Sequence, residues 1–159
     1  MKITVRALLF NEKNELLVVQ HRKSNFWALP GGKIEESLKE DLKSCVIREM
    51  FEELGIKIKV KNLLFIHEFK WGKTKKDTEK NDVTTELFFL VKISENDANT
   101  QKISEMQFSG EFTEKELNKI SWQILDKNLN IKPNFLKQYS YEKIIEMNNK
   151  NSTQYFSYI

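Results

Sequence analysis

The segment from Arg48 to Ile56 constrains this chain more than any other, because it places three carboxylates on a short stretch that ends beside a glycine. Its sequence is Arg-Glu-Met-Phe-Glu-Glu-Leu-Gly-Ile, and a pair of glycines precedes it at positions 31 and 32. On a helix that advances about 100° per residue, Glu49, Glu52 and Glu53 fall within a sector of roughly 100°. Like charges one turn apart destabilise a helix, so this arrangement suggests a compensating cation.

The clustered carboxylates predict a site for a hard divalent cation. Mg²⁺ and Mn²⁺ prefer oxygen ligands of this kind. A cation site beside a glycine-rich loop is typical of proteins that act on phosphate groups. The alternative is an exposed, acidic last turn of an amphipathic helix. Glu-rich helices are common, and three glutamates alone do not separate the two interpretations.

The order of the residues favours the cation site. The run Arg-Glu-apolar-X-Glu-Glu-X-Gly-apolar lies downstream of Leu-Pro-Gly-Gly-Lys-Ile-Glu at positions 29–35. Together the two runs resemble the Nudix box of nucleoside-diphosphate-linked hydrolases, and the resemblance covers about residues 3–137. It implies an α/β (α+β) protein with the Nudix fold. That fold is an α/β/α sandwich with a mixed central β-sheet and the box as a loop–helix–loop.

The first half of the box departs from the family pattern. The pattern has five residues between its glycine and its first glutamate, whereas seven separate Gly32 from Glu40 in this chain. A two-residue insertion in the loop before the helix explains the difference. The position and role of Glu40 are therefore open, and Glu36 is the competing equivalent. The helical half of the box is unaffected.

The resemblance assigns roles to the box residues. The catalytic residues are Arg48, Glu49, Glu52 and Glu53. Glu52 and Glu53 are the main ligands of Mg²⁺ or Mn²⁺, and the carbonyl of Gly31 completes the metal site. Glu49 is either a third ligand or the residue that positions the attacking water. Arg48 forms an ion pair that orients a catalytic glutamate.

Further site residues are predicted outside the box. Some family members add a metal-binding glutamate from a distant loop, for which Glu116 is the preferred candidate and Glu111 the alternative. Substrate contacts need cations for phosphates, rings that stack on a base and an amide that reads a base edge. Trp27 also suits a core position beside Leu29. The candidates are the cations Arg6, Arg22 and Lys33, the rings Phe26, Trp27 and Trp71, and the amide of Asn134.

Composition predicts one soluble domain. The chain has 159 residues, and a hydrophobic content of 40% with 11% aromatics argues against disorder. No apolar run approaches the roughly 18 residues of a membrane span. The single cysteine, Cys45, cannot form an internal disulfide and fits a reducing compartment, so a cytoplasmic location is expected. Residues 1–148 are predicted to form the domain, and residues 149–159 a tail of unassigned role.

The hydrophobic pattern predicts strands, a helix, further strands and a final helix. The box helix, expected at 38–54, is apolar on more than one face and is therefore predicted to be buried between two layers. Gly55 is expected to end it. The strands are expected at 3–10 and 15–21 as a hairpin, then at 56–60, 63–70 and 84–92, and the final helix at 134–148.

The predicted function is Mg²⁺-dependent hydrolysis of a nucleoside diphosphate linked to a group X. The short chain favours a MutT-like reaction, in which a nucleoside triphosphate gives nucleoside monophosphate and pyrophosphate. An ADP-sugar or other nucleotide sugar is the alternative substrate. Two other classes stay open. The lysines of residues 70–80 leave room for an RNA 5′-pyrophosphohydrolase, and a catalytically silent nucleotide-sensing module is the second.

The expected partner is a nucleotide-type small molecule. Lysines at 70–80 alternate with acidic residues, and the chain shows no basic helix or interleaved aromatic platform. Nucleic acid and membrane partners are therefore not expected. The chain is predicted to be a monomer or a homodimer.

Overall fold

The computed structural model describes residues 1–70, 83–94 and 117–159. Two 3₁₀ turns lie at Glu36–Leu38 and Asn134–Gln138. None of the helices in these ranges is both long and apolar enough to span a membrane. The strands and α-helices follow in the order β1 (Lys2–Leu8), β2 (Leu16–His21), β3 (Gly31–Lys33), α1 (Leu42–Leu54), β4 (Ile58–Lys70), β5 (Val83–Ile93), β6 (Leu117–Gln123), α2 (Tyr141–Asn149) and β7 (Gln154–Tyr158).

Five of the described strands form a mixed sheet in the order β3-β1-β5-β4-β7. β1 is antiparallel to β3 and parallel to β5, β4 is antiparallel to β5, and β7 lies parallel to β4. β2 and β6 pair separately as an antiparallel two-stranded sheet. Because the larger sheet combines parallel and antiparallel pairs, the predicted mixed sheet is confirmed.

Strand β5 carries the core on both of its faces. Its residues Leu87–Val91 are buried without interruption, as is usual for a strand with both faces covered. Successive side chains of a strand point to opposite faces. Leu87 accordingly packs in a cluster with Met50 of α1, and Phe88 packs in a second cluster with Ile144 of α2. The two described helices therefore cover opposite faces, as the predicted sandwich requires.

Helix α1 begins at Leu42 rather than at position 38. Asp41 caps it by accepting the N–H of Ser44 at 2.7 Å. Lys39 has a left-handed φ of 51° and separates the helix from the preceding 3₁₀ turn. At the other end, Gly55 has a φ of 67° and its N–H donates to carbonyls of the last turn. The predicted glycine end of the helix is confirmed.

The expectation that α1 is buried between two layers is wrong. Cys45 and Met50 are buried against the sheet. Ile47 and Phe51 are 42% and 53% exposed, and Leu38 before the helix is 52% exposed. Ile47 and Phe51 lie four residues apart and share one helical stripe. That stripe faces away from the sheet, so apolar character around the helix did not mean burial around it.

Two predicted strand arrangements differ from the observed ones. The expected hairpin is limited to its turn, where the Leu17 N–H donates to the Leu9 carbonyl at 2.9 Å. Beyond that turn β1 and β2 separate into different sheets. The strands expected at 56–60 and 63–70 form the single strand β4, which continues through register shifts between Val60 and Phe65. The strand expected at 84–92 agrees with β5.

The predicted final helix is divided. Its first part is the 3₁₀ turn, and α2 begins after Ser140, whose hydroxyl accepts the N–H of Lys143 at 3.3 Å. The tail that the sequence left unassigned forms β7. Phe156 of β7 stacks on Phe135 with ring centroids 4.2 Å apart. The tail therefore docks on the body of the domain and forms an edge of the larger sheet.

Candidate active site

The glycine pair at the start of β3 brings backbone against the carboxylates of α1. β3 pairs with β1 so that Gly31 lies opposite Arg6. A Cβ on Gly31 would overlap the carbonyl of Val5, and a Cβ on Gly32 would overlap the carboxylate of Glu49. Both positions therefore favour glycine, and Gly32 leaves the space in which the Glu49 carboxylate lies.

Glu49 and Glu53 approach this loop from α1. The Gly31 N–H donates to Glu53 Oε2 at 3.4 Å. The side chain of Glu49 is 13% exposed. Burial raises the pKa of the Glu49 carboxyl, although Arg48 opposes the shift. Both carboxylates line a polar cavity of about 820 Å³ together with the two glycines.

Arg48 is hydrogen-bonded to the carboxylates of Glu40, Glu49 and Glu52, and Glu35 lies 3.7 Å from its Nη1. Its Nη2 and Nε donate to the two oxygens of Glu40 at 2.6 and 2.9 Å, which is a bidentate pair. Its Nη1 donates to Glu49 and to Glu52, each at 3.0 Å. The planar guanidinium thereby links the loop before the helix to two of the helix carboxylates.

Glu40, whose position the insertion left open, is the bidentate partner of Arg48. Its Oε1 also accepts the Glu35 N–H at 3.2 Å. The hydrogen bond from Arg48 lowers the pKa of the Glu40 carboxyl to about 2. Glu36, the competing candidate, lies in the exposed 3₁₀ turn. The 3₁₀ turn and the left-handed Lys39 accommodate the longer loop, and Glu40 keeps its contact with α1.

A second cavity of about 550 Å³ opens beside the polar one. The two cavities share Arg6, His21, Phe69 and Glu86 among their lining residues. They therefore form one cleft with a polar half, around the glycine loop, and an aromatic half. The aromatic half is lined further by Phe26, Ala28, Leu29, His67 and Phe88.

Glu86, Arg6 and His67 form the floor of the cleft. Glu86 Oε1 lies 3.5 Å from Arg6 Nη2, and Glu86 Oε2 lies 3.5 Å from His67 Nδ1. The pairing of β4 with β5 places His67 directly opposite Glu86. Although burial opposes the shift, His67 and Arg6 lower the pKa of the Glu86 carboxyl. The floor thus presents a carboxylate flanked by a guanidinium and an imidazole.

Of the cations predicted to meet phosphates, Lys33 and Arg6 line the cleft. Lys33 lies in the polar half beside the glycine pair. Arg6 lines both halves, and its guanidinium is paired with Glu86. Arg22 is exposed beyond the end of β2 and is not among the described residues that line the cleft.

Trp27 and Asn134 are not among the described residues that line the cleft. Trp27 packs against the second core cluster, and its carbonyl accepts the Lys132 N–H at 2.9 Å. It is half-buried there, its neighbour Phe26 lines the aromatic half, and a stacking role for Trp27 stays a prediction. Asn134 is exposed, and its Oδ1 accepts from Lys132 Nζ at 3.1 Å.

Several predicted residues lie outside the part of the chain that the structure describes. They are Glu116 and Glu111, the alternative distant ligands, and Trp71 with the lysine-rich residues that follow it. Their roles stay predictions.

Sequence reasoning missed Glu86, His67 and Phe69. Two signals were present in the chain. Glu86 directly precedes the apolar run of β5, and His67 is one of only two histidines, both of which line the cleft. The register of β4 against β5 brings His67 opposite Glu86, and that register cannot be derived from the local sequence pattern.

Comparison with known proteins assigns the acidic segment and its surroundings to a family. The profile of the NUDIX domain matches residues 1–137, which is most of the chain. The chain belongs to the NUDIX domain family. The predicted membership of the Nudix hydrolase family is therefore confirmed, and the loop–helix segment that holds Gly31, Arg48 and Glu53 is its Nudix box.

Relatives of this Nudix chain include a human protein and two solved structures. The human protein, nucleoside diphosphate-linked moiety X motif 6, is 37% identical over 70 residues, which are 42% of this chain and 22% of that protein. The match thus covers less than a quarter of the length of this curated relative. A UDP-X diphosphatase structure has a TM-score of 0.63 and 20% identity, covering 98% of this chain and 66% of the other. The MutT protein from Methanosarcina mazei Go1 has a TM-score of 0.58 and 26% identity, covering 92% and 94%.

Nudix hydrolases generally use divalent metal ions, and the donors of the polar half suit them. Mg²⁺ is usually bound by one or two carboxylates together with waters and substrate phosphates. Glu49, Glu53 and the backbone of Gly31 bring hard oxygen atoms to one cavity. Within the described ranges no three His, Cys, Asp or Glu side chains enclose a metal by themselves. Glu52, a predicted ligand, is 55% exposed and bonded to Arg48. The donors therefore fit a cation that is completed by substrate and water.

Proposed function

We propose that this chain is a Mg²⁺-dependent Nudix pyrophosphohydrolase that splits a nucleoside triphosphate into nucleoside monophosphate and pyrophosphate. The observation that carries the proposal is the convergence of Glu49 and Glu53 on the glycine loop, at the polar end of a cleft whose other end is aromatic. Phosphates with their cation suit the polar half. A flat base suits the aromatic half, since ligand sites combine apolar walls with a few placed polar groups.

The residues of the polar half have separate tasks in this reaction. When bound, the cation neutralises phosphate oxygens and lowers the pKa of a coordinated water. Glu53 would hold the cation, and Glu49 would either hold it too or accept the proton of the attacking water on its carboxylate. Lys33, at the end of β3, offers its ammonium to a phosphate oxygen. Arg48 keeps the Glu49 carboxylate in place through its 3.0 Å hydrogen bond.

The choice of a triphosphate rests on similarity. The MutT protein from Methanosarcina mazei Go1 matches over nearly the whole of both chains. A nucleotide sugar is the second candidate substrate, because the polar half, at about 820 Å³, also has room for a sugar attached to the diphosphate. Both substrates share the same hydrolysed linkage, and they differ in the group that leaves with the distal phosphate.

The test is release of phosphate and pyrophosphate with Mg²⁺ and then with EDTA. The substrates are ordinary and oxidised dNTPs, NTPs, ADP-ribose, nucleotide sugars, dinucleoside polyphosphates and 5′-triphosphate RNA. We expect pyrophosphate from a nucleoside triphosphate, and we expect EDTA to stop it. Glu53→Gln should lose the same activity, because it removes a charge that would hold the cation. Glu12→Gln is its matched control and should keep the activity, because Glu12 is exposed in the turn after β1.

The outcomes separate the candidates. Turnover of nucleotide sugars alone would favour the second substrate, and turnover of RNA alone would favour the RNA-directed alternative. No turnover of any of these substrates, with nucleotide binding intact, would contradict the proposed hydrolysis and favour a nucleotide-sensing module.

A further inference from the structure

The floor of the cleft holds buried polar groups whose hydrogen-bonding capacity is not used. The side chains of Glu86 and His67 are 10% and 8% exposed. Within the described residues, His67 Nδ1 and Thr84 Oγ1 have no hydrogen-bond partner. A buried polar atom without a partner carries a desolvation cost, and such atoms are rare in folded proteins. Because both residues line the cleft, they leave it with hydrogen-bonding capacity that a bound ligand can use.

The carboxylate of Glu86 can accept further hydrogen bonds. Its two polar neighbours, the Arg6 guanidinium and the His67 imidazole, each lie at 3.5 Å, which is the outer limit of a hydrogen bond. An ionised carboxylate has about four lone-pair sites. Glu86 lines both halves of the cleft, so its carboxylate is within reach of a ligand that extends from one half into the other. The floor therefore offers two acceptors side by side, with guanidinium donors next to them.

The walls above this floor suit a flat ring. Phe26, Phe69 and Phe88 line the aromatic half. The imidazole of His67 is stacked on Phe69 with centroids 4.8 Å apart and planes inclined by 19°. Rings favour aromatic surroundings, and a polar edge of such a ring would lie against the floor. A heteroaromatic ring whose edge complements the floor would therefore suit this half.

We infer that Glu86 and Arg6 select a base whose edge carries two neighbouring N–H donors beside a carbonyl, which is the pattern of guanine. This inference rests on the proposed function, in which the cleft binds a nucleoside triphosphate. The two oxygens of Glu86 accept from the ring N1–H and the exocyclic amino group. The guanidinium of Arg6 donates to the O6 carbonyl. Glu86 and Arg6 are then specificity-determining residues, whereas the bond cleavage belongs to the Nudix box.

The other bases do not complement this floor. Adenine and cytosine place a ring-nitrogen acceptor against the carboxylate. Uracil and thymine have carbonyls on both sides of a single N–H, so one carbonyl would face an oxygen of Glu86. Specificity of this kind arises because the wrong base leaves buried polar groups unpaired.

The test compares dGTP with dITP, which lacks only the exocyclic amino group, and with dATP. The measured quantity is kcat/KM. We expect the wild-type protein to favour dGTP over dITP by about 10- to 100-fold, as for loss of one hydrogen bond to a charged group. Glu86→Gln should bring the two substrates within about threefold, because an amide offers one acceptor and one donor in place of two acceptors.

Glu68→Gln is the matched control. Glu68 neighbours His67 on β4, and its carboxylate accepts from the Tyr155 hydroxyl at 2.8 Å. A glutamine can accept the same bond, so this variant should keep the wild-type preference for dGTP. If Glu86→Gln does not fold, as judged by its thermal melt, the wild-type ratio of dGTP to dITP decides the inference.

A second readout is independent of turnover. Binding of GMP, IMP and AMP to the wild-type protein is measured by calorimetry, and GMP should bind tightest. Equal kcat/KM for dGTP and dITP, or a preference that survives Glu86→Gln, would overturn the inference while pyrophosphate release stands. If no triphosphate is hydrolysed, the proposed function fails. In that case equal binding of GMP and IMP would overturn the inference, and tighter binding of GMP would support it.

Discussion

The two halves of the cleft are assembled in different ways. The acidic groups and the glycine loop of the polar half come from one continuous stretch of about two dozen residues, which runs from Gly31 to Glu53. Residues of β1, β2, β4 and β5 complete the lining of that half. The aromatic half and its floor come from β1, β2, β4, β5, the segment between β2 and β3, and residues 132 and 133 after β6. Helical spacing determines how the acidic groups of the polar half are placed. Strand register determines which side chains meet in the aromatic half.

This difference matches the division of tasks in the proposed reaction. The chemistry of the phosphate linkage needs charges at short, fixed spacing, which a single helix and its preceding loop supply. The choice of base needs a surface shaped by several strands, so that single substitutions in distant positions can change it. Mutations in the two halves should therefore have separable effects on turnover and on preference.

The largest expected effect is in the polar half. Glu53→Gln should lower kcat by about 10³-fold or more for every substrate, because it removes a charge that holds the cation at little cost in volume. The Gly31 N–H can still donate to the glutamine carbonyl, so the fold should be retained. Steady-state kinetics and a thermal melt check both points. Near-normal turnover with bound Mg²⁺ would refute the ligand role.

Glu40→Gln should be milder, with a loss of roughly 10- to 100-fold in kcat. Glu40 acts through Arg48, which it holds by two short hydrogen bonds. Without that pair, Arg48 holds Glu49 less firmly. Glu36→Gln is the matched control, since Glu36 lies in the exposed turn of the same loop. A loss as large as that of Glu53→Gln would place Glu40 among the groups that touch the reacting atoms.

Gly32→Ala should lower kcat by about tenfold with little loss of stability. The added methyl group would overlap the carboxylate of Glu49, and that flexible side chain can move aside. A displaced catalytic group is costly even for small shifts. The comparison is Gly55→Ala, where no atom lies near the added group but the φ of 67° is strained. That variant should lose stability and keep its kcat. The reverse pattern would contradict the close contact between loop and helix.

The contribution of Glu40 to stability should depend on pH. Its pKa falls from an ordinary 4.5 to about 2 in the folded protein. A lowered pKa stabilises the folded state above the unfolded value, and the benefit disappears as pH falls toward the folded value. The melting temperatures of wild type and Glu40→Gln should therefore differ most above about pH 5.5 and converge between pH 4.5 and 2. A constant difference across this range would show that the ion pair is not its source.

The smallest expected effects are outside the cleft. Asn134→Ala and Arg22→Ala should each leave kcat/KM within about twofold of wild type, because both side chains are exposed and neither is among the described residues that line the cleft. Lys33→Ala is the contrasting variant within the polar half, and it should raise KM. A large change in Asn134→Ala would restore the base-reading role that its amide suggested.

The helix end and the acidic face of α1 could be predicted because their information is local. Gly55 ends the helix as its position indicated, and the spacing of Glu49 and Glu53 brings both carboxylates to the glycine loop. Glu52 shares the predicted face but is bonded to Arg48 and half-exposed. The start of α1 was harder to predict from the sequence, since it depends on the Asp41 cap and on the left-handed conformation of Lys39. The insertion before Glu40 could not be interpreted without seeing how the 3₁₀ turn accommodates it.

The aromatic half could not be derived in the same way. Trp27 and Phe26 are neighbours of similar character, and only the packing of the core decides which ring lines the cleft. Glu86 and His67 meet because β4 and β5 pair in one particular register. The sequence of the tail did not predict a strand either. β7 forms because the edge of β4 offers it backbone hydrogen-bond partners.

The most direct test of this division of tasks is one set of kcat/KM values for dGTP and dITP in wild type, Glu53→Gln and Glu86→Gln. We predict that Glu53→Gln lowers both values and leaves their ratio unchanged. Glu86→Gln should change the ratio, with turnover of dITP close to that of wild type. A ratio altered by Glu53→Gln, or an equal loss on both substrates in a folded Glu86→Gln protein, would contradict the separation of chemistry from base selection.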